Sequence, residues 1–360
     1  MRILIVGLGT IGEPLAKLFL EFKDRLGVEE VIVHKNSPER EYVGLLKRFQ
    51  RRGAKIAVFK ERHEAFVNLF RQANMSMPDY AFEDALDRAD VVIDCTAEKI
   101  GRKLKEQYYG KFAGSAKRFI AQGSEKGFGK PYAFDINDAA LNHADDQFIQ
   151  VVSCNTHQIL CILQTLARAG YAEIVKARFD IFRRASDISQ TSSTVGVEIS
   201  PPVHPLYGSH QGEDAVRVLR TIGAGYLDIH TRASKTNNPF MHVVDFNLTL
   251  ERPTTVSNIE NCFRANPLTP VTYWTTNNEV FSQGREWGHF GRILNQTVVC
   301  VPSLEVIGDG HEVHGTCFTP QDGNSLLSSV AATLFFRNPK TYRQEMFRYF
   351  GPLLKDFEEV

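Results

Sequence analysis

The chain has 360 residues, of which 43% are hydrophobic and 23% are charged. This length exceeds what one ordinary hydrophobic core needs and predicts two domains. The 42 basic and 42 acidic side chains balance, so no general attraction for nucleic acid is expected. No apolar run is long enough for a membrane span, and the N-terminal Met-Arg-Ile-Leu-Ile-Val-Gly lacks the features of a signal peptide. We expect a cytoplasmic protein that binds neither nucleic acid nor membranes.

Strands alternate with helices over roughly the first 150 residues. The expected strands are short apolar runs, as in buried parallel sheets, and the expected helices carry apolar residues at helical spacing. The strands are predicted at 2–6, 30–33, 89–94 and 119–123, and the helices at 14–22 and 81–88. Such alternation predicts a doubly wound, parallel α/β domain of the Rossmann type.

A glycine loop lies between the first strand and the first helix. Gly7, Gly9 and Gly12 fit the pattern G-x-G-x-x-G, and Thr10 and Ile11 stand between them. The first glycine permits a tight turn, the second lets the backbone approach a pyrophosphate, and the third lets helix and strand pack closely. The helix N-terminus adds N–H groups and partial positive charge. The loop therefore predicts a dinucleotide site rather than an empty turn.

The end of the second strand bears on which dinucleotide is bound. An NAD enzyme usually has Asp or Glu there, but this chain has His34, Lys35, Asn36 and Ser37. A carboxylate would repel a 2′-phosphate, whereas a lysine attracts it. A solvated surface lysine is the alternative interpretation of Lys35. The missing acid favours NADP, with NAD as the second possibility.

The pattern changes after residue 152. A helix is predicted at 155–168, and β-type alternation appears at 175–182, 226–231, 242–250 and 298–307. A long irregular stretch at 185–207 is typical of a binding loop, and 325–360 is predicted to be helical. We therefore predict an α+β second domain with a mostly antiparallel sheet. The predicted division is a dinucleotide-binding domain at 1–153, a catalytic domain at 154–317, and C-terminal helices at 318–360 that pack on the first domain.

Cys154 stands apart from the other five cysteines. The six are scattered without Cys-x-x-Cys pairs, which predicts reduced thiols and neither a disulfide framework nor a metal site. Cys154 lies where an apolar strand meets a helix N-terminus, and there the helix field lowers the pKa of a thiol. Helix N–H groups at the same place could stabilise an oxyanion. We predict that Cys154 is a nucleophile, and that Cys161, two turns deeper, is a packing residue.

At Ser153-Cys154-Asn155-Thr156 the sequence resembles the active-site motif of glyceraldehyde-3-phosphate dehydrogenases. The surrounding pattern is similar to the archaeal (type II) branch of that family, and the matching segments follow in the same order over nearly the whole chain. These segments are the glycine loop, Asp94 to Ala97, Ala121 to Lys126, Arg183-Arg184, Ser209 to Asp214, Met241-His242 and Glu286 to Arg292. The chain is thus identified as a divergent member by resemblance.

The resemblance implies oxidation of an aldehyde with NADP or NAD, through a thiohemiacetal and a thioester on Cys154, to an acyl phosphate. His242 matches the family's catalytic histidine and would take the proton of the hemiacetal hydroxyl. The implied partners are a small phosphorylated aldehyde, inorganic phosphate and further copies of the chain in a homotetramer. The resemblance implies no metal, and it implies a place in glycolysis or gluconeogenesis. The implied anion contacts are Ser153, Asn155, Thr156, Arg183, Arg184, Ser209 and His210, and the implied cofactor contacts are Cys95, Thr96, Gln122 and Gly123, beside the glycine loop, Lys35 and Asn36.

Several positions depart from the family pattern. His157-Gln158 replaces a Thr-Gly pair, Gln211 replaces a histidine, and 193–197 and 313–317 differ as well. Because these positions lie around the expected anion pockets, we expect the chemistry to be kept more securely than the identity of the aldehyde. Neighbouring strand residues point to opposite sides, so one of Arg183 and Arg184 is expected to contact a ligand directly.

Two other functions stay open from the sequence. A related acyl-phosphate reductase, such as a semialdehyde dehydrogenase, would act on a carboxylated aldehyde, although the arginine pair mildly favours phosphate. A nucleotide-binding sensor without catalysis is the second alternative. It would need neither Cys154 nor His242, so the presence of both argues against it.

Overall fold

The computed structural model describes residues 1–123, 125–171, 174–186, 196–224, 227–320 and 322–360. By their contacts the residues fall into two compact units. Unit 1 comprises Met1–Lys130, Asn142–Val151 and Ser329–Tyr342. Unit 2 comprises Pro131–Leu141, Val152–Ser328 and Arg343–Val360.

The first sheet has eight strands with the doubly wound order that the alternating pattern predicts. They are β1 (Arg2–Val6), β2 (Glu30–His34), β3 (Lys55–Val58), β4 (Tyr80–Ala81), β5 (Val91–Asp94), β6 (Arg118–Gln122), β7 (Lys130–Tyr132) and β8 (Phe148–Val151). The spatial order is β4-β3-β2-β1-β5-β6-β8-β7, and the ladders from β4 to β8 are parallel. The strand order reverses between β1 and β5, which is where such sheets bind ligands at the carboxyl ends of their strands.

The helices of unit 1 present apolar faces to this sheet. They are α1 (Gly12–Glu21), α2 (Val43–Arg51), α3 (His63–Gln72), α4 (Phe82–Arg88) and α5 (Ile100–Gln107). In α1 the buried residues Leu15, Leu18 and Phe19 recur three and four positions apart, which places them on one face of the helix. The sequence therefore forms a helix there because only a helix buries these three side chains together.

The second sheet lies in unit 2. Its strands are β9 (Ile174–Arg183), β10 (Glu198–Ser200), β11 (Asp228–Lys235), β12 (His242–Leu250), β13 (Val271–Thr272), β14 (Val298–Ile307) and β15 (Glu312–Thr319). The order is β10-β11-β9-β12-β15-β14-β13, and only the β11–β9 and β14–β13 ladders are parallel among the described residues. A mostly antiparallel α+β arrangement is therefore confirmed.

The helices that follow are α6 (Cys154–Arg168), α7 (His210–Thr221), α8 (Val256–Ala265), α9 (Asn277–Trp287), α10 (Leu326–Arg337) and α11 (Tyr342–Lys355). The helices α6, α7 and α8 contact the second sheet, whereas most of α10 belongs to unit 1. Alternate residues of β12, such as Val244 and Phe246, share a buried core with Ile159 and Leu163 of α6. This core holds α6 against the sheet. Within the described residues, no helix is both long and apolar enough to cross a membrane.

The C-terminal segment is divided between the two units. Of the predicted C-terminal segment 318–360, Ser329–Tyr342 belongs to unit 1 and the other described residues belong to unit 2. Arg343 pairs with Asp135 at 2.6 Å, and Phe347 packs on Phe134, so α11 belongs with unit 2. The boundaries of the contact-based units therefore differ from those of the predicted domains in this segment.

The structure also bears on the predicted loop at 185–207 and on two strands of the second sheet. The predicted binding loop at 185–207 contains the short strand β10, and its residues 187–195 lie outside the described part of the chain, as do 124 and 226. The strand expected at 226–231 begins at Asp228 and continues to Lys235. β15 was not predicted.

Candidate active site

The first turn of α6 is built by a local capping motif. Ser153 has extended backbone angles and is the N-cap of the helix, and its hydroxyl oxygen accepts the N–H of Thr156 at 3.4 Å. The hydroxyl groups of Ser153 and Thr156 are 2.9 Å apart. Such a cap starts the helix at a defined residue, here Cys154. The half-buried Cys154 thus lies at the positive end of the helix, where the sequence predicted it.

The main chain of Cys154 is also held from the far end of the chain. The carbonyl of Cys154 accepts a hydrogen bond from Asn324 Nδ2 at 2.9 Å, and the same amide group donates to the Gln296 carbonyl at 3.1 Å. Asn324 was missed in the sequence, although Asp322-Gly323-Asn324 is a recognisable turn signal. The contact fixes the backbone from which the thiol projects.

The two departures after the cysteine motif lie in the protein interior. His157 and Gln158 are both 0% exposed. The two ring nitrogens of His157 lie 3.0 Å from the Ser153 carbonyl and 2.8 Å from Ser328 Oγ. Gln158 donates to Thr297 Oγ1 at 2.8 Å and accepts a short hydrogen bond from Thr319. These side chains contact buried protein groups, so their size does not by itself indicate a different aldehyde.

Gln211, the third departure, is buried as well. It is 2% exposed, and its side-chain oxygen accepts a hydrogen bond from the hydroxyl of Ser209 at 2.6 Å. Ser209 immediately precedes α7, whose first residue is His210, and its hydroxyl also lies 2.6 Å from that of Thr231. Ser209 thus joins the start of α7 to β11.

The β12–β15 ladder links His242 to the first turn of α6. His242 is the first residue of β12 and lies opposite Thr319 of β15. The hydroxyl of Thr319, which donates its proton to Gln158, also lies 3.3 Å from Asn155 Oδ1, and Asn155 is the neighbour of Cys154. The structure therefore brings together the segments that carry Cys154 and His242. Thr319 was not singled out in the sequence, because its place depends on a strand that was not predicted.

The ring of His242 is buried and neutral. Burial is the main cause that lowers its pKa to about 3, and the positive charges of Arg184 and Arg183 act in the same direction. Nδ1 of His242 accepts the backbone N–H of Arg184 at 2.8 Å. Because an acceptor nitrogen carries no proton, the proton of the neutral ring is on Nε2. In this state His242 offers a hydrogen-bond donor and no free acceptor.

The two adjacent arginines have different surroundings. Arg184 pairs with Asp322 at 3.1 Å, with side chains only 1% and 2% exposed, and it also donates to the Phe240 carbonyl at 3.3 Å. Arg183 donates to Ser200 Oγ at 2.7 Å and is half-buried. Ser200, together with Ser209, lines a cavity of about 530 Å³. Arg183 is therefore better placed than Arg184 to meet an anion.

The glycine loop in unit 1 has the geometry that a dinucleotide needs. Gly7 has a φ of +92°, and a Cβ on Gly12 would lie 1.9 Å from the Gly7 carbonyl oxygen. A Cβ on Gly9 would meet no atom within 4 Å, so open space lies beside this backbone. The residue before α1, Ile11, makes no side-chain cap. The loop thus fits a pyrophosphate at the N-terminus of α1.

The other predicted cofactor residues lie at the ends of neighbouring strands. Thr96 donates through its N–H and its hydroxyl to Asp94 at 2.9 and 2.5 Å, and burial raises the pKa of Asp94. Cys95 lies against the loop, with its carbonyl oxygen 3.0 Å from where a Gly7 Cβ would be. Gln122 donates to Ser329 Oγ at 2.8 Å, and the N–H of Gly123 donates to the Val151 carbonyl at 2.8 Å.

Lys35 is half-buried at the end of β2. Its Nζ lies 3.2 Å from the centre of the Tyr42 ring, and burial lowers its pKa, while Glu39 and Glu41 oppose that shift. The neighbouring Asn36 is exposed, and His34 is buried between aromatic rings. The positive charge of Lys35, held against the Tyr42 ring next to β2, would attract an anionic ligand such as a phosphate group and repel a cation.

A doubly wound sheet with a glycine loop, followed by an α+β unit whose first helix begins at a cysteine, defines a class of two-unit dinucleotide-binding proteins. No family model matches the chain. The chain is 28% identical over 317 residues to a protein of Metallosphaera sedula named glyceraldehyde-3-phosphate dehydrogenase, covering 86% of this chain and 85% of that one.

Two further relatives carry the same name. The Methanothermus fervidus protein is 28% identical over 308 residues, which is 84% of each chain. The Pyrobaculum arsenaticum protein is 31% identical over 247 residues, which is 68% of this chain and 64% of that one. The similarity thus extends over most of the chain, as the motifs indicated.

Proposed function

We propose that the chain is a glyceraldehyde-3-phosphate dehydrogenase-like oxidoreductase that uses NADP or NAD and forms an acyl phosphate from a phosphorylated aldehyde. The observation that carries this proposal is the proximity of the first turn of α6 to the start of β12: the Thr319 hydroxyl lies 3.3 Å from Asn155, and Thr319 lies opposite His242 in the β12–β15 ladder. A thiol at a helix N-terminus, with a buried histidine donor on a strand linked to the same turn, is suited to attack on a carbonyl.

The cofactor site is formed by the glycine loop, with Lys35 for a 2′-phosphate. The bound nicotinamide ring would supply the acceptor for hydride. Gly9 leaves room for the pyrophosphate, and the uncapped start of α1 offers it N–H donors. The charge of Lys35, held against Tyr42, supports NADP as the preferred cofactor.

In the first step the thiolate of Cys154 bonds to the aldehyde carbon, and the carbonyl π electrons move to oxygen. The resulting oxyanion would accept hydrogen bonds from N–H groups of the first turn of α6 and from Nε2–H of His242. Loss of hydride from the same carbon then returns the oxygen electron pair to the C–O bond and leaves a neutral thioester. No proton has to be removed at this step, because the thiol was already ionised.

This scheme changes the role that the resemblance implies for His242. A general base needs a free acceptor nitrogen, but Nδ1 of His242 is taken by the N–H of Arg184. We therefore assign to His242 the role of an oxyanion donor. An oxygen of hydrogen phosphate would then attack the thioester carbon, and the C–S bond would break. The products are the Cys154 thiolate and an acyl phosphate, and the proton of the hydrogen phosphate would pass to water.

The two arginines divide the anion-binding task. We assign contact with a phosphate to Arg183, which donates to Ser200, a residue that lines the cavity together with Ser209. Arg184 holds Asp322 and, through its backbone, His242. Ser153, Asn155, Thr156 and His210 stay proposed neighbours of the substrate or of the attacking phosphate.

The test is an aldehyde assay with both cofactors. We expect purified protein to reduce NADP with glyceraldehyde 3-phosphate only when inorganic phosphate or arsenate is present, and more efficiently than NAD. Cys154→Ser is the control and should lose hydride transfer while still binding NADP. Reduction without phosphate would reject the phosphorylating reaction. Reduction with a carboxylated aldehyde alone would support the semialdehyde alternative, and tight NADP binding without any reduction would support a sensor.

A further inference from the structure

One buried histidine has no part in the proposed chemistry although it lies in the first turn of α6. His157 is 0% exposed, and each of its ring nitrogens has a hydrogen-bond partner. Nδ1 lies 3.0 Å from the carbonyl oxygen of Ser153, and Nε2 lies 2.8 Å from Oγ of Ser328. Buried polar groups are costly when unpaired, so a fully paired ring at this position is a specific local arrangement.

The partners fix where the proton of this ring lies. A carbonyl oxygen only accepts, so Nδ1 of His157 must carry the proton and donate to Ser153. Nε2 then accepts the hydroxyl proton of Ser328, whose oxygen accepts the N–H of Phe134 at 2.9 Å. Burial lowers the pKa of His157 to about 4, which keeps the ring neutral. The chain of donors runs from Phe134 to Ser328, to His157 and to Ser153.

The end of that chain is the residue that precedes the thiol. The carbonyl of Ser153 accepts two hydrogen bonds, one from the His157 ring and one from the His157 backbone N–H at 2.9 Å. The hydroxyl of Ser153 accepts the N–H of Thr156. On the other side, Asn324 holds the carbonyl of Cys154. The peptide groups on both sides of Cys154 are therefore fixed.

We propose that His157 is a positioning residue which, by holding the Ser153 carbonyl, aims the N–H groups of the first turn of α6 at the sulfur of Cys154. The helix field falls off within the first turn, so a small rotation of this turn changes how strongly it stabilises a thiolate. Loss of the contact would therefore lower the fraction of Cys154 that is reactive at neutral pH. This inference rests on the proposed function only in taking Cys154 as the nucleophile.

The test measures the thiol rather than the enzyme reaction. Iodoacetamide alkylates the thiolate, and its rate at the Cys154 peptide can be followed by mass spectrometry in the full chain from about pH 5 to pH 10. His157→Asn places an amide nitrogen where Nδ1 lies and keeps a donor to Ser153. His157→Gln places its amide where Nε2 lies and keeps the contact with Ser328 instead.

The two variants are expected to differ in the alkylation rate of Cys154, although both replace the imidazole ring with an amide. His157→Asn should alkylate within about twofold of the natural rate, whereas His157→Gln should be about fivefold slower at pH 7, with the midpoint of its pH–rate curve moved upward. Thr165→Val is the matched control, because it removes the hydrogen bonds of a buried hydroxyl from the same helix, about two turns beyond His157. It should leave the rate unchanged.

Ser328→Ala provides a second variant with His157 still in place. Without the Ser328 hydroxyl, Nε2 of His157 loses its hydrogen bond and the ring can rotate. We therefore expect Cys154 to be alkylated about twofold more slowly than in the natural protein. Equal rates for the two His157 variants, or the same loss in Thr165→Val, would overturn the proposal and leave His157 as packing alone. The outcome is independent of the aldehyde assay, because a chain that oxidises no aldehyde can still show or lack this alkylation pattern.

Discussion

The first turn of α6 and the first residue of β12 each hold a buried histidine, yet their surroundings give the two rings opposite tautomers. Nδ1 of His157 faces a carbonyl and keeps its proton, whereas Nδ1 of His242 faces an N–H and has none. Burial lowers the pKa of both rings, to about 4 and about 3. Neither ring therefore acts by changing its charge near neutral pH, and the group facing Nδ1 decides what each ring can do.

The difference also separates the tasks of the two regions. Nε2 of His157 is occupied by Ser328, so both nitrogens of this ring serve the protein interior. The proton on Nε2 of His242 is the one that is left to meet a substrate oxygen in the proposed reaction. A buried histidine is thus a structural element in one region and a proposed oxyanion donor in the other.

The largest effect is expected from breaking the ion pair beside His242. Arg184→Met removes the guanidinium that pairs with the buried carboxylate of Asp322, and we expect a loss of about 3 to 5 kcal/mol in the free energy of unfolding, measured with urea. Arg184→Met combined with Asp322→Leu should recover most of it. If the side chain of Arg184 only holds Asp322 in place, the double variant has the same KM for phosphate as the natural protein. A rise of about tenfold or more in that KM would assign Arg184 to ligand binding.

The next effect tests the donor role of His242 directly. His242→Asn removes the donor at the Nε2 position, and we expect kcat to fall by about a hundredfold, as when one oxyanion donor is lost. His242→Gln retains an amide N–H near that position and should lose about tenfold or less. Equal losses in both variants, or a step in kcat that follows protonation of His242 near pH 6 to 7, would restore the general-base role.

A smaller effect is expected from a third buried histidine, whose two nitrogens have no hydrogen-bond partner among the described residues. Burial lowers the pKa of His34 from 6.5 to about 3. Between these values the unfolded chain binds more protons than the folded one, so stability present above pH 6.5 is lost as the pH falls. We expect this group to lower the free energy of unfolding by about 2 kcal/mol between pH 7 and pH 5.

His34→Leu should remove that part of the pH dependence and leave the contributions of His157 and His242. His63→Leu, at an exposed histidine, is the matched control for the loss of one imidazole. A slope that is unchanged in His34→Leu would mean that His34 is solvated in the folded protein, and that burial without hydrogen bonds is not what keeps these rings neutral.

Features that depend on local sequence were predicted well. The glycine loop and the start of α6 need only the residues within one turn, because capping and tight turns are short-range. The strand β15 was missed because Gly315 interrupts its apolar alternation. A glycine is needed there, since a Cβ would lie 2.6 Å from the ring of Phe246 on the neighbouring strand. That requirement is visible only once β12 and β15 are paired.

The roles of individual side chains depended on partners far along the chain. Ser328 is 171 residues from His157, and Asp322 is 138 residues from Arg184. No local pattern assigns such partners, so the sequence could name the two arginines and both histidines but not which of them face the interior. The sequence placed His157 and Gln158 next to the nucleophile, but it could not show that both side chains are bonded to buried protein groups.

The proton position on His242 has an unusual evolutionary consequence. Its donor is the main-chain N–H of residue 184, so every amino acid except proline would provide it. What must be inherited is the alignment of β9 with β12, in which Val243 lies opposite Phe182. Relatives could exchange the residue at 184 and still share the same reactive tautomer. A sequence alignment would therefore not reveal this tautomer of His242. A one-residue shift in register between β9 and β12 would nevertheless remove it.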